Sequence, residues 1–351
     1  MSNTIQRYIE QAVNGEDLAP MDAEHAFQII MNGGATPAQM AGFLVALRMK
    51  GEAVTEIAAG AKVLRAKAAS FKSEVDCIDV CGTGGDAKGS LNISTAVAIV
   101  VAACGVPVAK HGNRSVSSRS GSSDVLTAIG VDVNADVVLM EECLRRCGLS
   151  FLMAPRFHSA MRHVAPVRQE LKLRTIFNLL GPLSNPAKPK WQVVGVYDKR
   201  WLEPMAKVLG ELGVERAWIV HGADGMDELS TTGESHVVEW YNGELTSFTV
   251  NPEEFGIELA TPEQLKGGDA EFNAKALSRL LSKEVGPYRD IVLLNAAAAL
   301  IVAGEADDLQ AGMAQAAEAI DSGKAKETLA QLVTLTSEYE VHRPANQDNH
   351  E

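Results

Sequence analysis

Residues Cys81 to Thr95 read CGTGGDAKGSLNIST. The segment follows the apolar run CIDV and precedes the apolar stretch AVAIVVAACG, so it joins a strand to a helix through a loop. Gly82, Gly84 and Gly85 let the backbone approach a ligand and take positive φ. Asn92, Ser94 and Thr95 stand where the helix begins. Free N–H groups and the positive dipole end at that point favour phosphate. The hydroxyls add donors and reach toward a metal. No GK[ST] follows and the spacing is not GxGxxG, so neither a P-loop nor a dinucleotide fingerprint is present. A tight turn with an Asn or Ser cap is the plainer alternative. The glycines alone favour that turn; GTGGD and NIST together favour a phosphate site.

A second segment, KHGNRSVSSRSGSSD from Lys110 to Asp124, again follows a β-like run and precedes a helix, VLTAIG. Lys110, Arg114 and Arg119 lie among six serines and two glycines. Such a loop is dense in donors and poor in packing groups. The net charge of the chain is −13, so a local basic loop is the natural partner for phosphate. An exposed, solvated loop is the rival reading.

Two further segments complete the set. HGADGMDELS, His221 to Ser230, ends a strand-like AWIV and carries Asp224, Asp227 and Glu228. The adjacent carboxylates Asp227 and Glu228 suit Mg2+, a hard ion that keeps waters and substrate phosphates as ligands; a solvated acidic turn is the alternative. Residues Phe157 to Ala187 hold His158, Arg162, His163, Arg168 and Arg174 before the turn-rich GPLSNPA. Arg168 can pair bidentately with a carboxylate. His158 and His163 are minor candidates, since a lone His in such a stretch is usually a hydrogen-bonded packing residue. No Ser–His–Asp spacing or nucleophile elbow occurs.

Two kinds of element must position these loops. TIQRYIEQAV, AEHAFQIIM, PAQMAGFLVALRMKG and VTEIAAGAKVLRAKA show apolar positions three and four apart, so residues 1–70 read as a helical domain. Thr36-Pro37 supplies an N-cap and first helical residue. From Phe71, the β-rich runs CIDVCG, VPVAKHG, WQVVGVYD and AWIVHG alternate with helices. Residues 71–338 therefore read as an α/β domain with a mostly parallel sheet. IVLLNAAAALIVAG, Ile291 to Gly304, is too short to span a bilayer and reads as a buried helix. Residues 339–351 read as a polar, frayed tail.

With 351 residues, 46% hydrophobic and 22% charged, the chain has room for a sizeable core and is an ordinary globular protein, more readily two domains than one. The net negative charge opposes nucleic acid and acidic membrane. Five cysteines without a CxxC pair, and an N-terminus charged where a signal peptide is apolar, point to a cytoplasmic protein.

GTGGD, NIST, KHGNRSVSS, APVR…RTIFNLLGPLSNPA and HGADGMDELS, in this order, resemble the anthranilate phosphoribosyltransferase family along nearly the whole chain. Five motifs in order are far more specific than any one; spacing alone speaks only for phosphate plus metal. The resemblance implies a nucleoside phosphorylase/phosphoribosyltransferase-like fold. A small helical domain, joined by part of residues 163–187, would meet the α/β domain at the active-site cleft. It implies a homodimer formed through the helical domains, and Mg2+-dependent transfer of phosphoribosyl from phosphoribosyl pyrophosphate to anthranilate, in tryptophan biosynthesis. Donor contacts then fall on Gly82, Gly85, Asp86, Ser90, Asn92, Ile93, Ser94, Thr95, Lys110, His111, Gly112, Asn113, Arg114, Ser115, Val116, Ser117, Ser118 and Ser122. Anthranilate contacts fall on Gly82, Asn113 and Arg168, with Arg168 near its carboxylate. The metal ligands are Ser94, Asp227 and Glu228. No general base is assigned, because an aromatic amine is already neutral at pH 7. Departures are mild: Ser90 where Thr is usual, Arg119 where Lys is common, and Cys81 in place of an aliphatic residue or proline. A nucleoside phosphorylase of the same fold is the rival enzyme, but the serine- and lysine-bearing glycine loop of thymidine phosphorylases is missing. A catalytically silent binder of phosphorylated sugars or nucleic acid is opposed by the net charge and by the Asp227–Glu228 pair.

Overall fold

The computed structural model describes residues 4–84, 86, 88–114 and 120–338. Residues 1–3, Gly85, Ala87, Ser115, Val116, Ser117, Ser118 and Arg119, and the tail 339–351, lie outside the described residues.

Four helices open the chain: α1 Gln6–Val13, α2 Pro20–Met31, α3 Pro37–Lys50 and α4 Val54–Lys67. Pro20 and Pro37 stand at first helical positions, where a missing N–H costs nothing. Thr36 caps α3 in a reciprocal box: its hydroxyl accepts from the Gln39 amide at 3.3 Å, and the Gln39 side chain accepts from the Thr36 amide at 2.9 Å. Inside the bundle the buried Glu56 carboxylate accepts from the Leu18 amide at 3.0 Å, the Ala53 amide at 2.8 Å and the Lys50 ammonium at 3.1 Å. One side chain thus ties the α1–α2 and α3–α4 connections together.

The rest alternates strand and helix. In order come β1 Ile78–Gly82, α5 Ile93–Ala103, β2 Val108–Gly112, α6 Ser122–Ile129, α7 Val137–Cys147, β3 Leu149–Met153 and the short α8 Ala154–Phe157. Then follow α9 Ala165–Leu171, α10 Ile176–Leu183, β4 Trp191–Gly195, α11 Leu202–Glu211, β5 Arg216–Gly222, β6 Ser235–Tyr241 and β7 Glu244–Val250. Helices α12 Ala270–Leu280, α13 Pro287–Ala303, α14 Leu309–Asp321 and α15 Lys324–Glu338 close the chain.

The sheet runs β3-β2-β1-β4-β5-β6-β7. Its first five strands are parallel and the β6–β7 hairpin is antiparallel. The expected architecture, a small helical domain with a larger domain on a mostly parallel sheet, is the one observed. Central strands are buried on both faces, as a sheet covered on both sides requires. Val80, Val193 and Val220 point into one core, with α5 and α13. Cys81, Val194 and Ile219 point into the other, which is continuous with the N-terminal bundle. On that side α11 packs on α4, while α9 and α10 pack on α3 and α4. Arg65 of α4 fastens the contact, donating to the Leu183 carbonyl at 2.6 Å and the Leu212 carbonyl at 3.2 Å. The apolar run read as a buried helix is α13, buried almost end to end.

Candidate active site

The strand order reverses between β1 and β4. In an open α/β sheet, ligands bind outside the carboxyl ends of the strands at such a switch point. The last rung there is Gly82 opposite Gly195. A Cβ on Gly82 would overlap the Asp227 carboxylate, and one on Gly195 would overlap the Asp227 main-chain carbonyl. The acidic loop after β5 therefore folds back over the β1–β4 edge, and only glycines leave room for it. The Gly84 amide donates to Asp227 Oδ2 at 2.8 Å, which ties the glycine loop to that carboxylate. Asp224 shapes the same turn by accepting from the Met226 amide, the Ser230 hydroxyl and the Thr232 hydroxyl.

Asp86, Asp227 and Glu228 converge. Burial first, then the Asp86 charge, push the Asp227 carboxyl up to about 7. Burial first, then Asp227, push Glu228 up to about 8, partly offset by Lys110 and by the nearby Ser94 amide. The N-terminus of α5 thus points at the acid pair, where its dipole favours negative charge. Every donor atom here is an oxygen, as a hard divalent cation such as Mg2+ requires. Among the described residues no three His, Cys, Asp or Glu side chains form a closed metal cage. An open seat, completed by water and substrate phosphate, is the arrangement Mg2+ prefers.

The other described residues expected to bind the donor have distinct environments. Asn92 precedes α5 but does not cap it with its side chain, which accepts instead from Asn273 at 2.8 Å. Its carbonyl accepts from the Tyr288 hydroxyl at 3.2 Å. The side chains of Ile93 and Thr95 are buried, and the Thr95 hydroxyl has no partner. Ser90 forms a bridge with Lys266. Lys110 does not extend into its serine-rich loop. Its buried ammonium donates to the Val80 carbonyl at 2.5 Å and to Ser94 Oγ at 3.2 Å. Gly112 is hemmed in by the Phe151 ring and the Ser122 hydroxyl, and Ser122 donates to the Asn113 carbonyl at 3.3 Å. The Arg114 amide donates to Asn113 Oδ1 at 2.7 Å.

On the bundle side, His111 and His158 stand ring to ring, centroids 5.1 Å apart, edge to face. His111 Nδ1 bonds the Gly181 carbonyl at 3.1 Å; its Nε2 and both nitrogens of His158 lack well-formed partners. Burial, then the neighbouring His158, lower His111 to about 3; burial lowers His158 to about 4. Both rings are neutral near pH 7. Arg168, on α9, stacks its guanidinium over Phe177 at 5.6 Å and has no carboxylate partner among the described residues. Burial lowers its pKa. A desolvated guanidinium without a counter-ion is a ready receptor for a carboxylate. Sequence reading passed over Gly195, which stands inside no dense motif; His158, expected as a packing residue, is buried against His111.

Comparison with known proteins agrees with this geometry. A family profile described as "Glycosyl transferase family, helical bundle domain" matches residues 6–68, and one described as "Glycosyl transferase family, a/b domain" matches residues 74–326. An anthranilate phosphoribosyltransferase of Rhodospirillum rubrum is 55% identical over 334 residues, covering 95% of this chain and 96% of that protein. The crystal structure of anthranilate phosphoribosyltransferase from Thermus thermophilus superposes with a TM-score of 0.89 at 45% identity, over 94% of this chain and 99% of that one. The Saccharomyces cerevisiae enzyme, solved in complex with PRPP and Mg, superposes with a TM-score of 0.88 at 27% identity, over 96% and 99%.

Proposed function

The chain belongs to the anthranilate phosphoribosyltransferase family, and on that premise we propose how its own residues divide the work. It transfers the phosphoribosyl group of phosphoribosyl pyrophosphate to the amine of anthranilate, giving N-(5-phosphoribosyl)anthranilate and pyrophosphate, in tryptophan biosynthesis. The anomeric C–O bond breaks and a C–N bond forms; the new ammonium then loses a proton.

Asp227, Glu228 and Ser94 would hold Mg2+, with Asp86 beside them. When bound, Mg2+ offsets the charge that builds on the departing pyrophosphate. The glycine loop, with Gly82, Gly85, Asp86 and Ser90, borders the pyrophosphate and ribose through backbone donors. The α5 start, Asn92 to Thr95, and the segment from Lys110 to Ser118, with Ser122, hold the phosphorylated sugar. Lys110 acts from beneath, holding Ser94 and balancing the acids. Arg168 takes the anthranilate carboxylate, with Gly82 and Asn113 beside the ring. The amine is neutral at pH 7, so positioning rather than a strong base carries the chemistry.

The observation that carries this reading is the glycine rung Gly82–Gly195, on which the acidic loop is laid against the glycine loop at the switch point. The test is anthranilate fluorescence with purified protein, Mg2+ and phosphoribosyl pyrophosphate. Decay only in the complete mixture is expected; persistent fluorescence in that mixture contradicts the reading.

The protein works as a homodimer through its bundles. Exposed Val13, Met21 and Met49 on α1 to α3 support this, the last two 85% and 83% exposed. Light scattering at the mass of one chain would contradict it. Free thiols at all five cysteines support a reducing, cytoplasmic setting.

A further inference from the structure

Strands β1 and β2 form one parallel rung, Ile78 opposite Val108, and then part. The Ile78 amide donates to the Pro107 carbonyl at 2.9 Å. In a parallel ladder the pattern repeats every second residue. The next bonds would join the Val80 amide to the Ala109 carbonyl and the His111 amide to the Val80 carbonyl. Side chains take three of those positions instead. Asp79 Oδ1 accepts from the His111 amide at 3.2 Å. Asn185 Nδ2 donates to the Ala109 carbonyl at 2.8 Å and to Asp79 Oδ2 at 2.8 Å. The Lys110 ammonium donates to the Val80 carbonyl.

Asp79 and Asn185 are both fully buried. A buried carboxylate and amide are costly unless every polar atom is matched, and here they match each other and the main chain. Asn185 Oδ1 also accepts from the Ala187 amide at 2.9 Å, which fixes the segment following α10. The pair therefore plugs the gap where two strands separate. Those strands lead, in the chain, into the glycine loop and the Lys110–Ser122 segment.

We propose that Asp79 and Asn185 are a positioning pair that holds the carboxyl ends of β1 and β2 apart and sets the span across which the glycine loop and the Lys110–Ser122 segment grip the sugar-phosphate donor. This rests on the transferase reading above. Neither residue touches substrate; both act through the main chain of Ala109 and His111. Removing either partner lets the strands close or the Lys110–Ser122 segment drift, and donor binding suffers before acceptor binding.

The test compares wild type, Asp79→Asn, Asn185→Leu and the double variant by steady-state kinetics, thermal melting and amide hydrogen exchange over residues 108–112. Each folded single variant should raise the KM for phosphoribosyl pyrophosphate about tenfold, with the anthranilate KM moving less than about twofold. The double variant should be no worse than the weaker single, because the two residues act as one unit. Exchange at His111 should accelerate. Variants that melt earlier yet keep wild-type kinetic constants per folded molecule would overturn the proposal, as would equal rises in both KM values. If Asn185→Leu does not fold, the near-isosteric Asp79→Asn decides on the same readouts. Failure of the transferase reading itself is separate: wild type would then consume no anthranilate.

Discussion

The main-chain carbonyl of Asp227 occupies the space that a side chain on Gly195 would need. Gly195 closes β4 and pairs with Gly82 on β1, so the position of the acid pair is fixed by two residues without side chains. A methyl group at 195 must push the acidic loop away from the glycine loop. Gly195→Ala should therefore lower kcat/KM about a hundredfold at limiting Mg2+ while the circular dichroism spectrum stays native. Wild-type kinetics in a folded Gly195→Ala protein would show that the loop is not seated as described.

Metal-free protein should respond to pH through the same pair. With folded-state values of about 7 and about 8, Asp227 and Glu228 keep protons that the unfolded chain releases near ordinary carboxylate values. Their contribution to stability is complete below the unfolded values and is lost as pH rises through 7 and 8. Mg2+ must displace those protons, so its stabilising effect should grow with pH. Thermal shifts with MgCl2 should be larger at pH 8.5 than at pH 6. A shift independent of pH would remove the pair from the metal site.

Arg168→Ala should raise the KM for anthranilate more than the KM for the donor. The lost contact is a buried charge-assisted pair, of which truncation typically costs about 2–5 kcal/mol. Equal effects on both KM values would count against a carboxylate contact.

The bundle has its own single point of weakness. Glu56→Ala leaves the Leu18 and Ala53 amides and the buried Lys50 ammonium without their shared acceptor. Breaking one side of a buried pair costs about 3–5 kcal/mol. Denaturant unfolding should report a loss in that range; a loss below about 1 kcal/mol would mean that Asp17, already 2.6 Å from the Lys50 ammonium, suffices for it.

Acid should act through the two buried histidines. Their folded values, about 3 and about 4, lie below the ordinary 6.5. The unfolded chain gains protons below that value while the folded chain does not. Stability present above pH 6.5 is therefore lost as pH falls toward 4, by up to ~1.4 kcal/mol per pH unit for each ring. His158→Phe should flatten that slope, measured by denaturation between pH 6.5 and pH 4.5. An unchanged slope would contradict a neutral, buried His158.

Much of this was readable from residue order, and the rest was hidden for physical reasons. The α3 cap at Thr36-Pro37 and the apolar α13 were legible because their signals are local. The β6–β7 hairpin carried a local signal that went unread: Asn242-Gly243, with φ of 51° and 84°, makes the tight turn that suits paired strands. Strand β3, LSFLM, is buried on both faces and has no alternation to mark it. Asp79 and Asn185 lie 106 residues apart, so nothing in spacing could pair them. Lys110 was legible as a cation but not as one turned inward, because its direction is set by Val80 and Ser94.

The central claim is that donor and divalent cation meet on the rung of Gly82 and Gly195. Crystals grown with phosphoribosyl pyrophosphate and Mn2+ in place of Mg2+ test it directly, through the anomalous signal of the metal. The predicted peak touches the carboxylates of Asp227 and Glu228, with donor phosphates toward the start of α5. A peak elsewhere, with the acid pair left bare, would contradict the account.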